Sequence, residues 1–229
     1  MIFVRHGQST ANAGGITMAH ADIPLSPFGR LQAKAVADEL ATRLIVQPTA
    51  VLVSSMVRTW QTAGPLCARY GLTPVVHPEL DEFSVIDPVL IAGLKGEQRK
   101  HFVKAYWDEA VPHRRLGDQA DTFAEFEDRV WRFLVGLPAV PDGAVVFGHG
   151  IWFAMLVWQI LGYRAIDASG MRAFRRFQQS LPIPNCAVFS LANFGDDRWS
   201  VKAETAMEDR IATILSSAAG QIGADSTTD

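Results

Sequence analysis

The 229-residue sequence predicts an α/β chain, with a mainly parallel central sheet between two helical layers, α/β/α. Three observations carry that expectation. Short apolar runs, Ile2-Phe3-Val4, Ala50-Val51-Leu52-Val53 and Ala144-Val145-Val146-Phe147, alternate with longer segments of helical periodicity. The second run is uniformly apolar, as a strand covered on both faces should be. Two of the runs lead to a histidine followed by glycine, in Arg5-His6-Gly7 and Gly148-His149-Gly150. Ligands in such sheets bind beyond the carboxyl ends of the strands, so both histidines are expected in one site.

The elements follow in order. Residues 2–6 read as a strand and residues 10–24 as an irregular loop. Ser26 is a helix N-cap with Pro27 in the first helical position. Ala33, Val36, Ala37, Leu40 and Leu44 then recur at helical spacing, which predicts an amphipathic helix over 27–44. Residues 50–53 form the second strand. Ser54-Ser55 are placed to cap a helix over about 56–70, which Pro65 is expected to kink or split. Residues 73–76 read as another short strand. Residues 83–120 mix Lys95, Arg99, Lys100 and Lys104 with Phe102, Tyr106 and Trp107, and are expected as helical pieces and loops capping the site. Phe123, Phe126, Val130, Phe133 and Leu134 mark a helix over 123–137. The third core strand is 144–147, and the apolar run 151–163 is the helix after it. Residues 186–191 and 199–202 are late strands, expected as an antiparallel pair. Trp152, Phe153, Met155 and Trp158 read as core.

The whole chain, 1–229, is expected as a single domain with a flexible tail from about 216. Hydrophobic residues make up 48% of it, enough for a sizeable core. The net charge of −3 and a pI near 6.1 argue against a general nucleic-acid binder. The 151–163 run is too short to span a bilayer, which takes ~20 residues, so no membrane partner is expected. No secretory leader is expected at the amino end. Cys67 and Cys186 lie in no metal-ligand spacing, so a cytoplasmic setting without a disulfide framework is expected. No cofactor or metal is expected.

Arg5 and His6 end the first strand, Arg58 lies one turn into the helix after the second, and His149 ends the third. Two arginines, two histidines and a helix N-terminus make an anion site, and phosphate matches the planar fork of arginine. His20, His77, His101 and His113 lack such context and are expected in solvent. Arg172, Arg175 and Arg176 share a helix face, read as solvated before any role toward a second anion.

Five segments resemble one known family. Arg5-His6-Gly7-Gln8-Ser9-Thr10-Ala11-Asn12 resembles the opening signature of the histidine phosphatase (phosphoglycerate mutase-like) superfamily, in its first branch. Asp22-Ile23-Pro24-Leu25-Ser26 with Gly29 and Gln32-Ala33, then Ser54-Ser55 with Arg58-Thr59 and Gln61-Thr62-Ala63, resemble its next two segments. Leu80-Asp81-Glu82 resembles the segment carrying the family's acid, and Gly148-His149-Gly150 the last. The resemblance implies a phosphoglycerate mutase-like fold and a metal-independent phosphomonoesterase acting on a small phosphorylated substrate. It implies His6 as the nucleophile that becomes phosphohistidine, and Arg5, Arg58 and His149 as phosphate ligands. It further implies Glu82 as general acid and base, with Asn12 touching phosphate or substrate. Glu79 and Asp81 stand beside Glu82 as other carboxylates. Phe83-Ser84-Val85 follows Glu82 where many relatives continue Gly-x-Trp-Glu-Gly, which favours a phosphatase over phosphoglycerate mutase-type transfer. A non-catalytic phospho-ligand binder or scaffold on the same fold is the reading from a different class.

Overall fold

The computed structural model describes residues 1–15, 18–43, 47–94, 96–195 and 198–225. Among them, β1 (Ile2–Arg5), β2 (Val51–Val53), β3 (Val75–Val76), β4 (Val145–Gly148), β5 (Val188–Asn193) and β6 (Trp199–Ala203) form one sheet. Its order is β3-β2-β4-β1-β5-β6. The first four strands run parallel, with Arg5 beside Gly148 and Val53 beside Phe147. β5 runs antiparallel to β1, and β6 antiparallel to β5. The sheet is thus mixed, with the parallel part carrying the strand ends that matter below.

Helices cover both faces. Alternate side chains of each strand point to opposite sides, and those of β2 and β4 are buried on both. Phe3, Leu52, Val146 and Phe189 face one layer, formed by α3 (Gly96–Glu109), α4 (Phe123–Gly136), α5 (Gly150–Ile160) and α6 (Ala168–Ser180). Val4, Val51, Val53, Val145 and Phe147 face the other, formed by α1 (Pro27–Arg43), α2 (Val57–Tyr70) and α7 (Thr205–Asp225). The aromatic run after His149 is core as read: Trp152, Phe153 and Met155 are fully buried, and Trp158 packs edge-on against Phe174. Tyr106 and Trp107 of α3 join the same core, so the 83–109 stretch is anchored and not draped over the surface.

Several expectations are corrected. The Ser26 cap holds, with Gly29 N donating to Ser26 Oγ at 3.0 Å. Ser54-Ser55 do not cap α2; Met56 is its N-cap, without a side-chain bond. Pro65 sits inside α2 without dividing it, because Ala63, Leu66 and Cys67 around it are buried against α1 and the sheet. β3 shortens to two exposed residues at the sheet edge, where β2 is its sole neighbour. β5 begins at Val188, because Cys186 adopts a φ of 64° and turns the chain first. α7 runs to Asp225, through Ala218 and Ala219, which favour helix. Leu44, Lys95 and the last four residues of the expected tail lie outside the described residues. No described helix is long and apolar enough to cross a membrane.

α4 illustrates how local sequence and core cooperate. Thr122 Oγ1 accepts from Glu125 N at 3.1 Å while Glu125 Oε2 accepts from Thr122 N at 2.8 Å, a reciprocal cap. Phe126 then stacks on Phe83, with ring centroids 4.8 Å apart. Thr122→Ala should cost ~1 kcal/mol through the lost cap. Phe126→Ala should cost ~3–5 kcal/mol through lost burial and a residual cavity. Urea unfolding midpoints measure both, and a Thr122→Ala loss as large as that of Phe126→Ala would contradict this ranking.

Candidate active site

The carboxyl ends of β1, β4 and β2 lie side by side, and the chain leaves each in a different direction. After β1, His6 N donates to Gly148 O at 3.0 Å, so the two histidine-bearing turns are stitched together. Gly7 N donates to Thr62 Oγ1 at 3.0 Å, tying the same turn to α2. Gln8 N donates to Gln32 Oε1 at 2.7 Å, and Ser26 N donates to Gln8 O, tying it to α1. The backbones touch here. A Cβ on Gly7 would lie 2.6 Å from Gly29 O, and one on Gly29 would lie 2.0 Å from Gln8 O.

His6 is buried, and its tautomer follows from its neighbours. Its Nδ1 lies 2.7 Å from Gly7 O, an acceptor, so Nδ1 carries the proton. Nε2 then presents a lone pair, toward which Arg58 Nε donates at 3.3 Å. Burial holds the ring well below its ordinary pKa of 6.5, and the charges of Arg58 and Arg5 push the same way. His6 is therefore neutral. His149 is the N-cap residue of α5 and is fully buried, with its ring edge-on to that of His6 and centroids 5.1 Å apart. Its Nε2 lies 2.8 Å from Ser54 Oγ, which also accepts from Met56 N. Ser54 Oγ also lies 3.0 Å from Thr59 Oγ1, and the ring proton sits on Nδ1 when Ser54 gives its one proton to Nε2. That Nδ1 is buried and has no partner among the described residues. Burial also holds His149 well below the usual range, ahead of the effect of Arg58.

Two guanidiniums complete the cationic side. Arg58 enters from the first turn of α2 and is almost wholly buried. Its Nη1 donates to His20 O at 2.8 Å, and burial lowers its pKa to about 10. Arg5 Nη1 donates to Ile183 O, while its Nε is buried without a partner among the described residues. Glu82 lies across from them. Its Oε1 accepts from Phe83 N and Trp152 N at 3.0 and 2.9 Å, and its Oε2 from Ile151 N at 3.0 Å. The carboxylate therefore sits on the N-terminus of α5. Burial raises its pKa above the ordinary 4.5, against the opposing pull of those N–H groups and of Arg58 and Arg5. Asp81 and Glu79 are turned elsewhere: Asp81 accepts from Ser55 N and Oγ, and Glu79 pairs with Arg132.

Arg5, His6, Asn12, Arg58 and Glu82 all line one pocket of about 280 Å³, with His149 directly behind His6. Asn12 is held at its mouth, its Oδ1 accepting from Ser9 N at 3.2 Å and from Asn185 Nδ2 at 3.2 Å. The family model described as histidine phosphatase superfamily (branch 1) matches residues 1–205. The chain belongs to that superfamily.

Relatives and solved structures agree at this level. The chain is 29% identical over 176 residues to a probable phosphoglycerate mutase of Serratia proteamaculans, covering 74% of this chain and 78% of that protein. A second probable phosphoglycerate mutase, from Enterobacter, is 28% identical and is matched over 86% of this chain and 85% of its own. Among solved structures, a mycobacterial glucosyl-3-phosphoglycerate phosphatase has a TM-score of 0.67 at 24% identity, covering 89% of this chain and 96% of its own. The α-ribazole phosphatase of Shigella flexneri has a TM-score of 0.68 at 20% identity, covering 88% and 94%. These likenesses show a phosphoglycerate mutase-like fold.

Some site residues escaped the sequence reading. His20 was expected in solvent, but its Nε2 lies 3.5 Å from Arg58 Nη2, and burial lowers its pKa to about 3. It lies beyond an irregular loop, which leaves no periodicity to place it. His77 is half-buried, edge-on to Phe133, whereas His101 and His113 are exposed as expected. Ser54 orients His149 and does not cap a helix. Asn185 donates to His6 O at 3.0 Å from a turn 179 positions away. The α6 arginines line a neighbouring cleft, with Arg175 half-buried over Trp107.

Gly29 tests whether the position of His6 depends on the backbone contact. Gly29→Ala drives a Cβ into Gln8 O and should displace the His6 turn. A displacement of ~1 Å at a reacting centre costs ~10²-fold. Steady-state kcat/KM on an aryl phosphate should fall by about that factor while circular dichroism stays native. Unchanged turnover would show that the turn is held without this contact.

Proposed function

We propose that the protein is a phosphomonoesterase that hydrolyses a small phosphorylated substrate through a phosphohistidine at His6, without a metal. The observation that carries this reading is the state of His6: neutral, with its proton on Nδ1 held by Gly7 O and its Nε2 lone pair directed at buried cations. A protonated ring could not attack phosphorus, and the other tautomer would face the ester with a proton.

The steps follow from the geometry. The substrate's phosphoryl oxygens take N–H donors from Arg5, Arg58 and His149, which stabilise charge in the transition state. Arg58 Nε gives up Nε2 of His6 to do so. Nε2 forms a bond to phosphorus as the bond to the ester oxygen breaks, and Glu82 gives that oxygen a proton. Oε1 of Glu82 accepts two N–H donors and Oε2 only that of Ile151, which leaves Oε2 a lone pair for the proton. Water then attacks the phosphohistidine, its proton passes to Glu82, and the nitrogen–phosphorus bond breaks to regenerate neutral His6 and release phosphate. Asn12, at the pocket mouth, contacts the substrate beside its phosphate. Cys67 and Cys186 are free and buried, which fits the cytoplasmic setting included in this proposal.

Phosphoglycerate mutase-type transfer is the second reading, supported by the names of the relatives. It requires that phosphohistidine outlive its exposure to water and pass its phosphoryl group to a second acceptor. Release of inorganic phosphate, compared with isomerisation of phosphoglycerate in a bisphosphoglycerate-primed assay, separates the two.

His6→Ala should abolish turnover, and wild-type enzyme quenched in alkaline denaturant should carry alkali-stable, acid-labile phosphate on His6. EDTA should leave both turnover and this intermediate intact. Near-normal turnover by the variant would sink the nucleophile assignment, and loss restored by a divalent metal would sink the metal-free one.

Glu82 sets the alkaline side of the pH profile. His6, held below 6.5, is neutral above its depressed pKa, and Glu82, held above 4.5, keeps its proton until pH rises through its raised pKa. The active form lies between the two. Hydrolysis of an alkyl phosphate should therefore fall as pH rises through the Glu82 pKa, and Glu82→Gln should lack that fall. The variant should be slower by ~10²–10⁴-fold on alkyl esters and much less affected in phosphoenzyme formation from an activated aryl ester. Equal loss on both esters would show that another group protonates the leaving oxygen.

A further inference from the structure

The chemistry at His6 fills only the smaller of two adjoining spaces. Beside the 280 Å³ phosphate pocket lies a cleft of about 980 Å³. The two share Ala11, Asn12, His20 and Ile23, so the cleft begins where the alcohol part of an ester leaves the phosphate pocket. Pockets that enclose whole ligands run to ~300–1,000 Å³. A three-carbon acid would leave most of this cleft in water.

The lining has two characters. Phe83, Ile91, Val103 and Trp107 make an apolar floor continuous with the core. The rim is cationic, with Arg99 and Lys100 from α3 facing Arg172, Arg175 and Arg176 from α6. Lys104 and Asp108 also line it but pair with each other at 2.5 Å. Arg175 is half-buried, lies 4.6 Å from the Trp107 ring centroid, and forms an ion pair with no carboxylate among the described residues. Arg172, Arg175 and Arg176 sit at i, i+3 and i+4, so they present one face to the cleft. Met171 and Phe174 of the same helix are buried in the core. A fully apolar ester would meet the floor and leave the half-buried Arg175 without an anion. A short hydrophilic one would do the reverse.

Resting on the phosphomonoesterase reading, we infer that this cleft selects esters whose alcohol part has an apolar, ring-bearing body and carries a second anion. The body covers Phe83, Ile91 and Trp107, and the anion, carboxylate or phosphate, meets the α6 arginines. A carboxylate or phosphate accepts two parallel N–H bonds from a guanidinium, which a neutral hydroxyl cannot match.

Four esters separate the terms on wild-type enzyme: naphthyl phosphate, carboxynaphthyl phosphate, naphthalenediyl bisphosphate and phosphoglycerate. At low salt, kcat/KM for at least one of the two doubly anionic naphthyl esters should exceed that for naphthyl phosphate and for phosphoglycerate by ~10-fold or more. The better of the two identifies the second anion. Added salt should shrink the margin. Arg172→Gln with Arg176→Gln should reduce the ratio of doubly anionic ester to naphthyl phosphate toward one, whatever happens to the absolute rates. Equal values with and without the second anion, or a preference for phosphoglycerate, would overturn the inference and leave the phosphomonoesterase reading intact. Calorimetric binding of the same esters to His6→Ala reads the cleft without turnover. If no ester is hydrolysed by wild-type enzyme, the hydrolase reading falls; the cleft assignment then stands or falls on whether the doubly anionic esters bind more tightly.

Discussion

The site depends on a place where two stretches of backbone touch. Gly7 and Gly29 meet without side chains between them, and that closeness lets α1 hold the turn that carries His6. Around the contact, Gln32, Ser26 and Thr62 each bond the backbone or side chain of residues 7 and 8. The strand delivers His6 to the sheet edge, but these bonds from two helices decide where its ring lies. The nucleophile role proposed for His6 needs that restraint, because such a group must meet phosphorus in line and retain no freedom to turn aside. The restraint also fixes Gly7 O, which determines the tautomer.

Charge and burial then work together. Two guanidiniums beside an imidazole disfavour its protonation, and burial disfavours it more. The same burial raises the pKa of Glu82, so it favours the neutral form of both the base and the acid. The helix N-terminus under Glu82 and the cations opposite limit how far that acid is displaced. His149 and Glu82 are both held by the start of α5, through its N-cap and its first N–H groups. The two groups keep a fixed relation to each other because a single helix, buried over Trp152–Leu156, positions them.

Much of this was legible in the residues. Uniformly apolar runs located the parallel strands, and their ends located His6 and His149, because burial on both faces leaves a signal independent of distant partners. Ser26-Pro27 announced α1 for an equally local reason. Arg58 was placed by its position one turn after the second strand, whereas Glu82 needed the family resemblance, since a lone glutamate carries no pattern. The structure brings His6, Arg58 and Glu82 into one pocket, with the His149 ring against that of His6. His20, Asn185 and Ser54 were not legible. Each reaches the site through a loop or turn, where neither periodicity nor propensity sets direction. Pro65 misled because the local cost of a proline was weighed without the packing on either side of it. The α6 arginines were correctly put on one face, but the sequence could not say that the face borders a cleft.

α6 enters the core through Met171 and Phe174, while Arg172 and Arg176 stay at the surface. Exchanges at such exposed positions usually change stability by less than ~0.5 kcal/mol. The wall of the cleft can therefore be rewritten one side chain at a time without approaching the threshold at which the fold fails. The His6 turn has no such latitude, since a single methyl group at position 29 collides with the main chain. Descendants of this sequence would be expected to drift in what they admit long before they drift in what they do to it.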